Sequence, residues 1–213
     1  RQRQMCIRDS YQSCKLTMSD HGWNSSNQIT LPSFVYSDVL IDFCDHPNID
    51  IPVQECVALV SIYAATNGPN WTNSANWLES TNVDDWFGVR IREIDGENHV
   101  TGVFLNKSFW ADEHGLSTTW NGNNLVGVIP DVIGDLTYVT DLNLSKNQWL
   151  IWTIPIEIGT MERLKILYAR DTWLGWTLPS TLQNISTLEH LLIDANEFSW
   201  SFPSWLENMD TLQ

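Results

Sequence analysis

Val128-Ile129-Pro130-Asp131-Val132-Ile133-Gly134-Asp135-Leu136-Thr137-Tyr138-Val139-Thr140-Asp141-Leu142-Asn143-Leu144-Ser145-Lys146-Asn147 is one copy of a pattern that returns about every two dozen residues. Aligned on proline, the copies begin at Pro130, Pro155, Pro179 and Pro203, spaced 25, 24 and 24 residues apart. After Pro130 the apolar positions are Ile133, Leu136, Val139, Leu142 and Leu144, with Asn147 closing the copy. The next copies read Ile158, Met161, Leu164, Leu167, Ala169, Thr172 and Leu182, Ile185, Leu188, Leu191, Ile193, Asn196. A fourth shows Leu206, Met209 and Leu212 before the pattern stops at Gln213, which predicts a repeat array truncated at its C-terminal side.

The pairs Leu142/Leu144, Leu167/Ala169 and Leu191/Ile193 have the period of two of a strand with one buried face. The three-residue steps before them fit a helical or 3₁₀ turn. One such unit cannot bury its own apolar side, so the copies must stack with their strands side by side in a parallel sheet. An inward Asn at positions 147 and 196 can satisfy both backbone donors and acceptors where the chain leaves the strand, and Thr172 can do so only in part.

With these residues in view the chain resembles the leucine-rich repeat family, and Leu125 to Pro130 resembles the Leu-x-Gly-x-Ile-Pro phrase of its plant-type subclass. The resemblance implies an α/β solenoid, a right-handed superhelix with a parallel sheet on its concave face. The run Tyr63 to Trp77 and the phrase Trp86-Phe87-Gly88-Val89 resemble the helical N-terminal cap of such proteins. Pro52 suits the first turn of a helix whose face is Val53, Cys56, Val57, Val60 and Tyr63, and Asn67-Gly68-Pro69 should end it. Trp71, Trp77 and Trp86 read as packing for the apolar end of the first repeat.

The expected organisation is a disordered or artefactual lead-in at 1–37, a cap at 38–99 and repeats at 100–213. Arg1 to Ser10 resembles translated sequencing-adapter read-through. A hairpin is expected at Glu93 to Leu105 around the turn Asp95-Gly96-Glu97-Asn98, with Val103 and Leu105 as the first strand pair. An insertion at about 107–121 separates that strand from the regular array, as a surface loop would.

The net charge of −15 argues against nucleic acid or an anionic membrane as partner. No apolar run approaches the roughly 18 residues of a membrane span, so no membrane insertion is expected of this stretch. No phosphate loop, metalloprotease motif or serine-hydrolase motif is present, so neither enzymatic activity nor a cofactor is expected. Asp112-Glu113-His114 reads as solvated loop rather than a metal site. The resemblance implies a disulfide between Cys44 and Cys56, although the Cys that usually flanks the Trp-x-Gly-Val phrase is absent and a buried free thiol at Cys56 is the alternative. Sequons at Asn24, Asn70, Asn106, Asn143 and Asn184 give weak support for a secreted or cell-surface protein.

The resemblance places ligand binding on the outward strand positions. Across the copies these are Thr140/Lys165/Glu189, Asp141/Ile166/His190, Asn143/Tyr168/Leu192, Ser145/Arg170/Asp194 and Lys146/Asp171/Ala195. Asn143, Tyr168, Arg170, Leu192 and Asp194 are the candidate contacts, in a mixed surface suited to a protein or peptide partner. Twelve tryptophans make the chain unusual. Trp152, Trp176 and Trp200 fill the slot held by Gly127 in the first copy, a departure from the family pattern. A ladder of them would either pack on itself or offer a flat strip to glycans, which makes a glycan the second partner class. The non-catalytic ectodomain of a receptor-like kinase is the third reading.

Overall fold

The computed structural model describes residues 43–106, 122–150, 154–172, 178–196 and 203–212. The lead-in at 1–37, the insertion at 107–121 with Asp112-Glu113-His114, and Trp152, Trp173, Trp176 and Trp200 lie outside those residues.

Proline sets the start of every repeat. Pro130, Pro155, Pro179 and Pro203 sit at extended backbone angles and open the 3₁₀ turns Asp131–Asp135, Ile156–Thr160, Ser180–Asn184 and Ser204–Asn208. The ring holds φ near the value such a turn needs. Its carbonyl then accepts the N–H of the apolar residue three positions on: Ile133, Ile158, Leu182 and Leu206. The bonding continues in threes, with Leu136 donating to Ile133 and Val139 to Leu136, and likewise in the later copies. A 3₁₀ chain has three residues per turn, so these side chains fall on one face. That face is the core, where Ile133, Leu136, Val139, Ile158, Met161, Leu164, Leu182, Ile185 and Leu188 are all buried.

Among the described residues there are seven strands: β1 Val89–Ile94, β2 Glu97–Phe104, β3 Val126–Gly127, β4 Asp141–Asn143, β5 Trp149–Leu150, β6 Ile166–Tyr168 and β7 His190–Leu192. One sheet has the order β1-β2-β4-β6-β7, and β3 pairs with β5 in a second. β1 and β2 are antiparallel; β2, β4, β6 and β7 run parallel, with Val103, Leu142, Leu167 and Leu191 in register. The hairpin turn is tighter than expected. β1 and β2 are joined by Asp95-Gly96 alone, both with positive φ (55° and 88°), because Asn98 and Glu97 pair with Glu93 and Ile94. An Asp-Gly pair suits that geometry.

Asn147 links two levels of the stack. Its amide donates to Leu105 and Leu144 carbonyls, both at 2.9 Å, and its oxygen accepts from the N–H of Leu125. Asn196 repeats this two levels on, donating to Ala169 and Ile193 and accepting from the N–H and hydroxyl of Thr172. The Thr172 hydroxyl reaches Ala169 in its own level and, among the described residues, makes no bond to the level before.

The helix Val53–Ala65, α1, packs against the first 3₁₀ turn of the array. Its buried face differs from the expected one: Glu55, Cys56, Ala58, Leu59, Val60, Ile62 and Ala64 are buried, while Val53 is 42% exposed. The helix is covered from more than one side, so a single apolar stripe misplaces its contacts. Buried Glu55 is the least expected of these. Its carboxylate accepts the N–H of Val100 and contacts His99 Nδ1, each at 2.6 Å, which satisfies a charge that burial would otherwise disfavour. His99 stacks on Tyr138 with centroids 3.6 Å apart, and the Arg163 guanidinium lies 4.2 Å from the Tyr138 ring centre. A column of planar groups therefore ties the helix to two repeats.

Trp71, Trp77 and Trp86 fill the space beside the helix. Tyr63 lies 5.1 Å from Trp71 and 5.5 Å from Trp77, and Trp77 lies 4.9 Å from Trp86. Each indole N–H donates to a carbonyl, of Thr66, Phe87 and Ser80 in turn, so burial leaves no donor unpaired. Burial also raises the pKa of the Tyr63 phenol, an effect partly offset by a hydrogen bond with Ser74. Cys44 and Cys56 form a disulfide with Cα atoms 5.7 Å apart, fastening the segment before the helix to its first turn.

Candidate ligand-binding face

The register puts the expected outward columns side by side. Asp141, Ile166 and His190 are aligned, as are Asn143, Tyr168 and Leu192. Parallel strands lie about 4.8 Å apart, so neighbours in a column touch.

Charges on this face are paired between β6 and β7. Lys165 Nζ lies 3.0 Å from Glu189 Oε1. Arg170 grips Asp194 with two nitrogens, Nε to Oδ1 at 2.6 Å and Nη2 to Oδ2 at 2.7 Å. The fork geometry fixes the guanidinium plane in a way a single contact would not. One level earlier Arg90 bonds Asp141, and its guanidinium lies 4.9 Å from the Phe104 ring centre. The two pairs that flank β6 and β7 bring two positive and two negative charges. They cancel locally in a chain of net charge −15, leaving Ile166, His190 and Leu192 as a half-buried, near-neutral centre between them.

Two of the expected contacts are recessed. Asn143 is 2% exposed and Tyr168 8%. Asn143 does not stand on the surface as its outward register suggests: its side-chain oxygen accepts the N–H of Ser145, and its amide nitrogen is buried. The open part of the face is therefore the β6–β7 half, with Arg170, Leu192 and Asp194. The column Lys146/Asp171/Ala195 also departs from expectation. All three have left-handed backbone and belong to the turn after each strand rather than to the strand itself. Trp152, Trp176 and Trp200 lie outside the described residues. Sequence reasoning missed the cross-strand ion pairs, although Lys165/Glu189 and Arg170/Asp194 each stand 24 residues apart in one column, which was the signal for them.

Among the described residues no cluster of His, Cys, Asp or Glu could hold a metal ion. No helix among them is long and apolar enough to cross a membrane.

No protein-family model and no curated protein matches the chain. Solved structures do. The leucine-rich repeat ectodomain of the receptor kinase SOBIR1 from Arabidopsis thaliana aligns with a TM-score of 0.57 at 24% identity, over 77% of this chain and 78% of that one. The BIR2 ectodomain from Arabidopsis thaliana aligns with a TM-score of 0.59 at 23% identity, over 76% of this chain and 77% of that one. The ectodomain of the Arabidopsis thaliana plant membrane receptor kinase GASSHO1/SCHENGEN3, solved in complex with CASPARIAN STRIP INTEGRITY FACTOR 2, aligns with a TM-score of 0.60 at 23% identity. That match spans 75% of this chain and 17% of the receptor. The fold is thus that of leucine-rich repeat ectodomains.

Proposed function

We propose that this chain is a non-enzymatic recognition module that binds a peptide or protein partner across the outward face of β6 and β7. The observation that carries this reading is the near-neutral centre of Ile166, His190 and Leu192, flanked by the bonded pairs Lys165/Glu189 and Arg170/Asp194. Side chains already held in register lose little freedom on binding, so an extended peptide with an apolar central residue fits without large ordering cost. Tyr168 and Asn143 continue the column of Leu192 as its recessed part. The likeness to receptor ectodomains, one of them solved with its factor bound, is consistent with the same use.

In this reading the helix Val53–Ala65 is the cap of a right-handed plant-type solenoid whose concave face is the five-stranded sheet. The protein works outside the cell or at its surface, where the Cys44–Cys56 disulfide persists. It serves as an ectodomain or a secreted relative of one, with no need for cofactor, metal or nucleic acid.

The test is selection of binders from a displayed random-peptide library, followed by affinity measurement on Leu192→Arg and Arg170→Glu. Leu192→Arg, at a half-buried position beside Ile166 and His190, should weaken selected peptides by about tenfold or more, roughly 1.4 kcal/mol, with melting temperature unchanged. Peptides that bind both variants as well as the parent chain would overturn the assignment, as would a library that yields no binder.

A further inference from the structure

Four sequon asparagines fall among the described residues, and the fold divides them into two kinds. Asn143 is 2% exposed and Asn106 is 4% exposed. Each has a side-chain atom with almost no accessible surface, Nδ2 of Asn143 and Oδ1 of Asn106. The hydroxyl that completes the Asn143 sequon is engaged as well, since Ser145 Oγ accepts the N–H of Arg170. A sugar on Asn143 would need the space now filled between β2 and β6, the two strands that flank β4.

Asn70 and Asn184 are the opposite case. Asn70 ends the 3₁₀ turn Gly68–Asn70 and is exposed together with Thr72 of its sequon. Its side-chain contact, Nδ2 to Asn67 Oδ1 at 2.9 Å, is itself exposed and exchangeable with water. Asn184 closes the 3₁₀ turn Ser180–Asn184, and it and Ser186 are both exposed. Its turn lies between the proline and the strand, so the residue stands off the outward face of the sheet. The same place in the other copies, Asp135, Thr160 and Asn208, is exposed throughout.

We propose that Asn70 and Asn184 are N-glycosylation sites of this protein, and that Asn106 and Asn143 stay bare in the folded chain. The inference rests on the extracellular reading above. A glycan attached to the nascent chain at Asn143 would have to be buried between strands, so chains carrying one cannot complete the sheet. Sugars at Asn70 and Asn184 leave Ile166, His190 and Leu192 uncovered.

The experiment expresses the whole chain behind an added secretion signal in a eukaryotic host and isolates the folded monomer. Endoglycosidase then trims each glycan to one N-acetylglucosamine, and peptide mass mapping reads each site. The tag is expected on the peptides of Asn70 and Asn184 and absent from those of Asn106 and Asn143. Asn184→Gln should remove one glycan from the mobility of the intact protein, and Asn143→Gln none. A tag on Asn106 or Asn143 in the folded fraction, or bare Asn70 or Asn184, would overturn the proposal. Secretion is imposed by the added signal, so a natural location elsewhere would not alter this pattern; the two readings fail separately.

Discussion

Ala195 shows most plainly what a repeat demands of one residue. Lys146, Asp171 and Ala195 occupy one column, and their φ values are 66°, 52° and 56°. The chain must leave each strand sharply so that Asn147, Thr172 and Asn196 can point inward, and the left-handed region supplies that bend. The N–H groups of Lys146 and Asp171 still bond across levels, to Arg170 and Asp194. Asp tolerates this conformation through its polar side chain; Ala does not. Ala195 is exposed, so nothing compensates it by packing. Ala195→Gly should relieve strain of about 1–2 kcal/mol. It should also lose about 0.4–1 kcal/mol through the freer unfolded chain. A net gain near 0.5–1 kcal/mol should raise the melting temperature by about 1–4 °C, readable by calorimetry. A lower melting temperature would mean that this turn is not strained.

At the scale of elements, the junction of α1 with β3 explains why the first repeat differs from the rest. Val126 N–H donates to the Thr66 carbonyl and Val128 N–H to that of Ala65, so the end of the helix lies on the β3 backbone. Gly127 between them has φ +134°, and a Cβ there would meet the Ala65 carbonyl oxygen at 2.1 Å. Gly127→Ala should therefore separate helix from array, costing about 1–3 kcal/mol and lowering the melting temperature by several degrees. An unchanged value would show that the junction adjusts freely. The repeats, their register and the buried tryptophans were legible in the sequence because bonds in threes and strands in twos each leave a period. Gly127 was legible only as the family's residue. Its physical reason comes from Ala65, 62 positions away, and no period encodes such a contact. Buried Glu55 and recessed Asn143 were illegible for the same reason: partners distant in the chain set their burial, against the polar character of the side chains. The helix stripe failed because several elements cover α1, so burial there does not follow one face.

For the whole molecule, the stack has two unlike ends among the described residues. Three amides are structurally equivalent, each donating from the end of one strand to the next level: Leu105 to Asn143, Leu144 to Tyr168 and Ala169 to Leu192, all at 2.8 Å. Bond length thus cannot distinguish them, and any difference in exchange must come from the stability of the surrounding levels. The Leu105 bond lies between the hairpin with its helix and β4, where Val103, Leu105 and Leu142 are buried. The Leu144 bond lies one level on. The Ala169 bond ends on β7, whose three residues are only half-buried and which, among the described residues, pairs with β6 alone. Contacts in a stack reach only the adjacent level, so opening proceeds from the less supported side and need not unfold the rest. Hydrogen exchange should therefore protect Leu105 and Leu144 more than Ala169, by about tenfold or more, equivalent to about 1.4 kcal/mol. The proposed binding face lies on that softer half, so a bound peptide crossing β6 and β7 should raise the protection of Ala169 more than that of Leu105. Equal protection at all three amides would mean that helix, hairpin and repeats open as one unit, and that the stack does not act through neighbouring levels.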